Sequence, residues 1–143
     1  MKRKLFICLL LTSFLIAENI DFRYTNQHGN TILHKAIIDK DTTLLKELLN
    51  KDVEIDQKNY RGETPLHLAV KLDNIQSVKI LIDHHAILSI FDVYNFSPLY
   101  YANNLKYYDI ANLLKQHGAK IEIRKIDQKS ELETFVKKFN HDQ

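Results

Sequence analysis

The chain has 143 residues, of which 45% are apolar and 27% are charged, and it contains three Gly and two Pro. This composition is typical of a folded globular protein and excludes a disordered chain, and the length suits a single domain. With one cysteine, Cys8, the chain cannot be a disulfide-bonded scaffold. The formal net charge is +2, and three of the basic residues lie within the first four positions.

The N-terminal segment has the pattern of a secretory signal peptide. Basic residues at positions 2 to 4 precede an uncharged, mostly apolar stretch from Leu5 to Ala17. A helix of that length spans about 20 Å, against about 30 Å of hydrocarbon in a bilayer, so it is too short for a stable anchor. We therefore expect residues 1–17 to be a signal peptide that is cleaved after Ala17. The alternative is an uncleaved N-terminal anchor.

Cleavage would change both the charge and the thiol content. It would remove three of the 20 basic residues and none of the 18 acidic ones, which leaves a net charge near −1. A nucleic-acid partner then loses its electrostatic basis. Cys8 would leave as well, so the exported domain would have no thiol to be oxidised.

A repeat with a period of 33 residues begins at Asn26, and similar segments start at Asn59 and Asp92. In each segment a turn ends at a residue type that tolerates a left-handed backbone, namely Gly29, Gly62 or Asn95. The residues that follow predict a helix start, because Ser and Thr are good N-caps and Pro suits the first helical position. These residues are Thr31, Thr64 and Ser97 as caps, and Pro65 and Pro98 after them.

Each repeat predicts two short helices. The first is expected over Ile32–Asp39, Pro65–Leu72 and Pro98–Leu105. The second is indicated by apolar residues at helical spacing, which are Leu44, Leu45, Leu48, Leu49, Val78, Leu81, Ile82, Ile110, Leu113 and Leu114. Helices of two to three turns are marginal in water, so we expect neighbouring units to stack and bury a shared core.

The G-x-T-P-L-H pattern, the helical Ala two residues later and the 33-residue period closely resemble ankyrin repeats. The resemblance covers Asn26 to Ile123, and its most specific stretch is GETPLHLA in the second unit. It implies an all-α solenoid of stacked helix-turn-helix units with short hairpin-like loops. The third unit departs from the pattern at Asn95, Ser97 and Tyr100, so we expect it to be the least rigid.

The domain organisation follows from the repeats. Residues 18–143 are expected to form a single domain, with repeats at about 26–58, 59–91 and 92–124 and a degenerate C-terminal capping helix at 125–143. Ser130 and Glu133 form a capping box there, and an apolar stripe follows at spacings of three and four. An amphipathic helix that docks on a membrane or a partner is the alternative for this segment.

The resemblance also implies roles for particular residues. His34 and His67 would brace neighbouring units by hydrogen bonds. A partner would bind at a concave surface made by the turns and the outward side of the first helices. The candidates on this surface are Gln27, His28, Asn30, Lys58, Tyr60, Arg61, Glu63, Lys71, Leu72, Phe91, Val93, Tyr94, Phe96, Asn104 and Leu105.

The third turn gives this surface independent support. Phe91, Tyr94 and Phe96 lie where a hairpin should be wet, and exposed aromatic residues are frequent anchors of protein interfaces. The alternative is that Phe91 or Phe96 packs onto the third unit and replaces missing core contacts. Tyr100 occupies the position of the bracing His and is expected in the core.

Other chemistry has little support. His84, His85 and His117 do not predict a metal site, because a third close ligand is missing. Phosphate-binding loops, G-x-S-x-G and H-E-x-x-H are missing from the sequence as well. We therefore expect no metal, no cofactor and no catalysis.

The sequence thus predicts a non-catalytic protein-binding module, monomeric and exported to a bacterial periplasm. We expect no nucleic-acid partner, and membrane contact only through the signal segment or the C-terminal helix. Two alternatives stay open. One is a periplasmic antagonist or immunity protein, or a secreted effector, that blocks a toxin or a host protein. The other is a protective or assembly factor for a periplasmic enzyme.

Overall fold

The computed structural model describes residues 24–51 and 53–120. These residues form six α-helices and one isolated β-bridge, between Thr25 and Thr31, but no β-strand. The helices are α1 (Ile32–Ile38), α2 (Thr42–Leu49), α3 (Pro65–Lys71), α4 (Ile75–Asp83), α5 (Pro98–Asn104) and α6 (Tyr108–Gln116). The predicted signal segment and C-terminal capping helix lie outside the described residues.

Local residue types start the first helix of each unit. The Thr64 hydroxyl accepts a hydrogen bond from the His67 amide at the start of α3, and the Ser97 hydroxyl accepts one from the Tyr100 amide at the start of α5. Pro65 and Pro98 follow at the first helical position, where no amide hydrogen is needed. The helices therefore begin at the predicted residues.

The first helices end one residue earlier than predicted. Asp39, Leu72 and Leu105 are C-caps, because the next residue in each unit adopts a left-handed backbone. Lys40, Asp73 and Lys106 have φ values of 55°, 52° and 62°. This turn lets the following amide donate back to the helix, as from Asp41 to the Ala36 carbonyl at 2.9 Å.

The two helices of each unit pack against each other, and the units stack in chain order. The first helices α1, α3 and α5 contact one another in sequence, and so do the second helices α2, α4 and α6. Ala36, Ala69 and Ala102 of the first helices are buried in the core. Leu33, Leu66 and Leu99 are buried with them. The predicted all-α stack of helix-turn-helix units is confirmed.

The turns between units are held by the first residue of each repeat. Oδ1 of Asn59 accepts from the amides of Arg61 and Glu63 at 2.9 and 3.0 Å. Asn26 and Asp92 make the corresponding bonds in the other two turns. In the sequence these three positions only mark the period of the repeat. Their regular spacing was the signal that predicts a shared structural role.

Within residues 24–51 and 53–120, no helix has the length and apolar character needed to cross a lipid bilayer.

Candidate functional site

The tips of the second and third turns expose large apolar side chains. The side chains of Tyr60, Val93 and Tyr94 are 76%, 59% and 63% exposed, and Lys58 and Arg61 are exposed beside them. We call these five residues the tip surface. They occupy neighbouring positions because repeats 33 residues apart lie side by side.

Backbone hydrogen bonds hold the tips against one another. The Tyr60 amide donates to the His28 carbonyl at 3.1 Å, and the Val93 amide donates to the Arg61 carbonyl at 3.0 Å. Gly62 makes this approach possible, because a Cβ there would lie 2.9 Å from the Val93 nitrogen. The Lys58 ammonium also donates to the Phe91 carbonyl at 2.9 Å. The tip surface is therefore displayed on a fixed backbone.

Glu63 is not on the accessible surface, contrary to the expectation from its turn position. Its side chain is buried, Oε2 accepts from the Asn59 amide group at 2.9 Å, and Oε1 is paired with Lys71. Burial alone would raise the pKa of Glu63, but the hydrogen bonds from Asn59 and Lys71 outweigh it and lower that pKa. Glu63 is an internal anion that stabilises the turn.

Lys71, which was also predicted on the partner surface, is half-buried, and its ammonium group interacts with other residues of this chain. Besides pairing with Glu63, its ammonium lies 4.9 Å from the centre of the Tyr101 ring. The Tyr101 hydroxyl donates to Oδ2 of Asp92 at 2.6 Å, and burial together with this bond raises the pKa of Tyr101. A continuous set of polar contacts, which the repeat pattern does not indicate, thus joins the second and third units.

The aromatic residues of the third turn divide into two groups. Val93 and Tyr94 point to solvent, whereas Phe91 and Phe96 are half-buried. The Phe96 ring stacks on Tyr100 with centroids 4.1 Å apart and planes 5° from parallel. Phe96 therefore packs onto the third unit, as the alternative to partner contact predicted.

Tyr100 is half-buried, so its expected place in the core is wrong. Its amide donates to the Ser97 hydroxyl, while its ring lies against Phe96 and edge-on to Tyr101, with centroids 6.1 Å apart. A phenol ring has no nitrogen that could accept the cap amide as an imidazole does. Tyr100 therefore contributes ring stacking where the other units have a bracing histidine.

His34 and His67 are buried and use both ring nitrogens. In each, Nδ1 accepts from the backbone amide of the capping threonine at 3.1 Å. Nε2 lies 3.0 Å from the Glu63 carbonyl in His34 and 3.1 Å from the Phe96 carbonyl in His67. An amide only donates and a carbonyl only accepts, so each ring is neutral with its hydrogen on Nε2.

Burial lowers the pKa of both histidines, which agrees with the neutral form. Each ring joins one unit to the next turn, and neither nitrogen is left to accept a proton from a substrate. The role of His34 and His67 is therefore to stabilise the contact between neighbouring units.

Three other predicted partner-binding residues lie at the C-terminal ends of the first helices. Asn104 is the last residue of α5, Leu72 and Leu105 are the C-caps of α3 and α5, and all three are exposed. An open depression of about 150 Å³ lies beside the second turn. It is lined by His28, Asn30, Asn59, Arg61, Glu63 and Leu68.

His84, His85 and His117 follow the second helices of their units. Nδ1 of His117 bonds to the Leu113 carbonyl at 2.9 Å. Across the described ranges 24–51 and 53–120, no three or more His, Cys, Asp or Glu side chains are grouped so that they could hold a metal ion.

The fold and this surface define a repeat protein with exposed, hydrogen-bonded turn tips. A family model described as "Ankyrin repeats (3 copies)" matches residues 8–92 and residues 36–125. The chain belongs to the ankyrin-repeat family. Proteins of this family are interaction modules that bind other proteins, and they are generally non-catalytic.

The chain is also similar to several known proteins. The ankyrin repeat protein OPG189 of Variola virus is 28% identical over 129 residues, which are 84% of this chain and 22% of that protein. The NF-kappa-B inhibitor alpha of Gallus gallus is 30% identical over 77 residues, 52% of this chain and 24% of that protein. An L-asparaginase of Dirofilaria immitis is 38% identical over 76 residues, 53% of this chain and 13% of that protein. The chain thus spans less than a quarter of the length of each of these relatives.

Proposed function

We propose that this chain is a protein-binding module that contacts its partner through the tip surface and the exposed positions Asn104, Leu72 and Leu105. The observation that carries the proposal is the exposure of Tyr60, Val93 and Tyr94 on adjacent turns. Apolar side chains this large are costly to leave in water and gain free energy when a partner covers them.

The rigidity of the turns adds to this argument. Binding costs conformational entropy when loops and side chains must be ordered. The backbone of both tips is already hydrogen-bonded to its neighbours, and a tyrosine side chain has only two χ angles to fix. Tyr60 and Tyr94 are therefore expected to be the anchors that contribute most of the binding free energy.

We also propose that the module is exported to a bacterial periplasm. The basic start and short apolar stretch of residues 1–17 support export, and the lack of cysteine after Cys8 suits an oxidising compartment. Mass spectrometry of the protein recovered from the periplasm tests this directly. An N-terminus at Glu18 is expected, whereas recovery of the intact N-terminus with the membrane fraction would favour the uncleaved anchor.

An antagonist role is the second candidate. One similar protein is named as an inhibitor, the NF-kappa-B inhibitor alpha. A small rigid module that covers another protein's surface by steric exclusion needs no catalytic group. An inhibitory effect of the purified chain on the activity of its captured partner would favour this role over a protective or assembly factor.

Affinity capture tests the binding surface. The full chain, produced with its own N-terminal segment and a C-terminal tag, is used to recover partners from the cell that makes it. The Tyr60→Ala/Tyr94→Ala variant is expected to lose the specific partner, with a dissociation constant raised at least about tenfold. The control is Tyr108→Ala, which removes a tyrosine that is 65% exposed at the start of α6. Equal capture by both variants would contradict the proposed surface.

A further inference from the structure

The two carboxylates of the second and third turns are buried and fully engaged. Glu63 is 4% exposed, and its two oxygens accept from Lys71 and Asn59. Asp92 is 5% exposed and accepts from two backbone amides at Oδ1 and from the Tyr101 hydroxyl at Oδ2. Neither carboxylate has an oxygen left for a partner.

The two cations of the same turns have the opposite character. Lys58 and Arg61 are exposed, and in the part of the chain that the structure describes neither of them forms an ion pair. The Lys58 ammonium has a neutral carbonyl as its partner, that of Phe91, so its charge is not compensated. The Lys71 charge, in contrast, is taken up by Glu63. The accessible charge of these turns is therefore positive.

Apolar surface and positive charge alternate along the tips. Tyr60 directly precedes Arg61, and the backbone bond from Val93 to the Arg61 carbonyl brings the third tip against the second. Arg61 and His28 also line the depression of about 150 Å³ beside the second turn, together with Glu63, whose carboxylate is engaged by Lys71 and Asn59. The free hydrogen-bonding groups at its rim thus include a guanidinium that can bind a carboxylate with two parallel hydrogen bonds.

We infer that the tip surface binds an acidic protein segment that also carries a large apolar side chain. A carboxylate of that segment pairs with Arg61 beside the depression, a second one faces Lys58, and the apolar side chain covers Tyr60, Val93 and Tyr94. This inference rests on the proposed function and specifies the partner's chemistry.

A nucleic acid would offer negative charge and stacking bases as well, but the surface fits it less well. Affinity for a phosphate backbone grows with the number of cations in contact with it, and the tip surface has two. The chain without residues 1–17 carries one more acidic than basic residue. Binding of an oligonucleotide is therefore an outcome of the test that would overturn the inference.

The test is a selection of random-sequence peptides, displayed on phage, against the immobilised full chain. Selected peptides are expected to combine Asp or Glu with an aromatic or large aliphatic residue. Their dissociation constants should rise at least about tenfold in Arg61→Glu, and they should also rise as the ionic strength goes from about 0.01 M to about 0.15 M, where the Debye length falls to roughly 8 Å. Lys79→Glu, the same charge change at an exposed position of α4, should leave them unchanged.

The other outcomes are distinct. Neutral or basic peptides that need Tyr60 and Tyr94 but not Arg61 would overturn the inference and leave the proposed function standing. A selection that yields no peptide, or only peptides indifferent to both variants, would overturn both. Arg61-dependent binding of a random single-stranded oligonucleotide in place of acidic peptides would overturn the inference too. Circular dichroism of each variant confirms that it is folded.

Discussion

The second and third repeats build the same turn with different means. In the second repeat Gly62 supplies the left-handed residue and His67 bonds across to the next turn. In the third repeat Asn95 takes a similar φ of 62°, and Tyr100, at the position that corresponds to His67, stacks on Phe96 of its own repeat. The first residue of the turn, Asn59 or Asp92, has the same role in both repeats.

The comparison shows what the turn requires. A side-chain oxygen at the first position organises the amides two and four residues later, whether it belongs to an amide or a carboxylate. The glycine and the histidine add stability between units on top of this local structure. We therefore expect changes at Gly62 and His67 to cost more than changes at the corresponding positions of the third repeat.

The largest effect is expected at Gly62. In Gly62→Ala a Cβ would lie 2.9 Å from the Val93 nitrogen, in a backbone with φ +70°, so the free energy of unfolding should fall by about 3 kcal/mol. Gly118→Ala is the matched control, because Gly118 has φ +92° and, among residues 24–51 and 53–120, no atom lies within 4 Å of the added Cβ. It should lose about 1 kcal/mol. Urea denaturation of both variants measures the difference, and equal losses would show that the contact between the tips is unimportant.

The next largest effect is expected at His67, and it should exceed the effect at Tyr100, the corresponding position of the third repeat. His67→Leu leaves the Thr64 amide and the Phe96 carbonyl without their partners, and burying such groups should cost about 2 kcal/mol. Tyr100→Leu removes ring stacking at a half-buried site and should cost about 1 kcal/mol. Thermal unfolding followed by circular dichroism compares them. A larger loss for Tyr100→Leu would contradict the account of the third repeat.

Acid should weaken the stack through its histidines. The pKa values of His34 and His67 lie below the value of 6.5 for a free imidazole because of burial. The unfolded chain therefore takes up protons first as the pH falls, so their contribution to stability is complete above about pH 6.5 and is lost progressively below it. His67→Gln should reduce this dependence, and His85→Gln, at an exposed position, should not. Urea midpoints measured at several pH values give the slope of stability against pH. Equal slopes in the wild-type protein and both variants would contradict the assignment of buried, neutral histidines.

The smallest effect concerns the turn inside the third repeat. Lys106 has φ 62°, a conformation that costs a β-carbon-bearing residue about 1 kcal/mol. Lys106→Gly removes this strain but gives the unfolded chain more freedom, so we expect a net gain of about 0.5 kcal/mol. The melting temperature should rise slightly. A lowered melting temperature would indicate that the lysine side chain contributes packing that outweighs the strain.

The sequence predicts the helix starts and the exposure of Tyr60, Val93 and Tyr94 because these follow from local residue types and turn positions. It misses the helix ends, since a lysine at position 40 or 106 gives no sign of a left-handed backbone. The predicted exposure of Glu63 is wrong for a different reason. Its burial depends on contacts with Lys71 and Asn59 that form only when α3 packs against the turn, and no periodicity encodes them.

The most direct test of the central claim is site-specific photo-crosslinking in the cell that produces the protein. A photoreactive phenylalanine derivative replaces Tyr94 in one variant and Tyr108 in another, both of which are exposed side chains of the third unit. The account predicts a discrete protein adduct from position 94 and none from position 108. An adduct from position 108 alone, or from neither position, would contradict the assignment of the turn tips as the partner-binding surface.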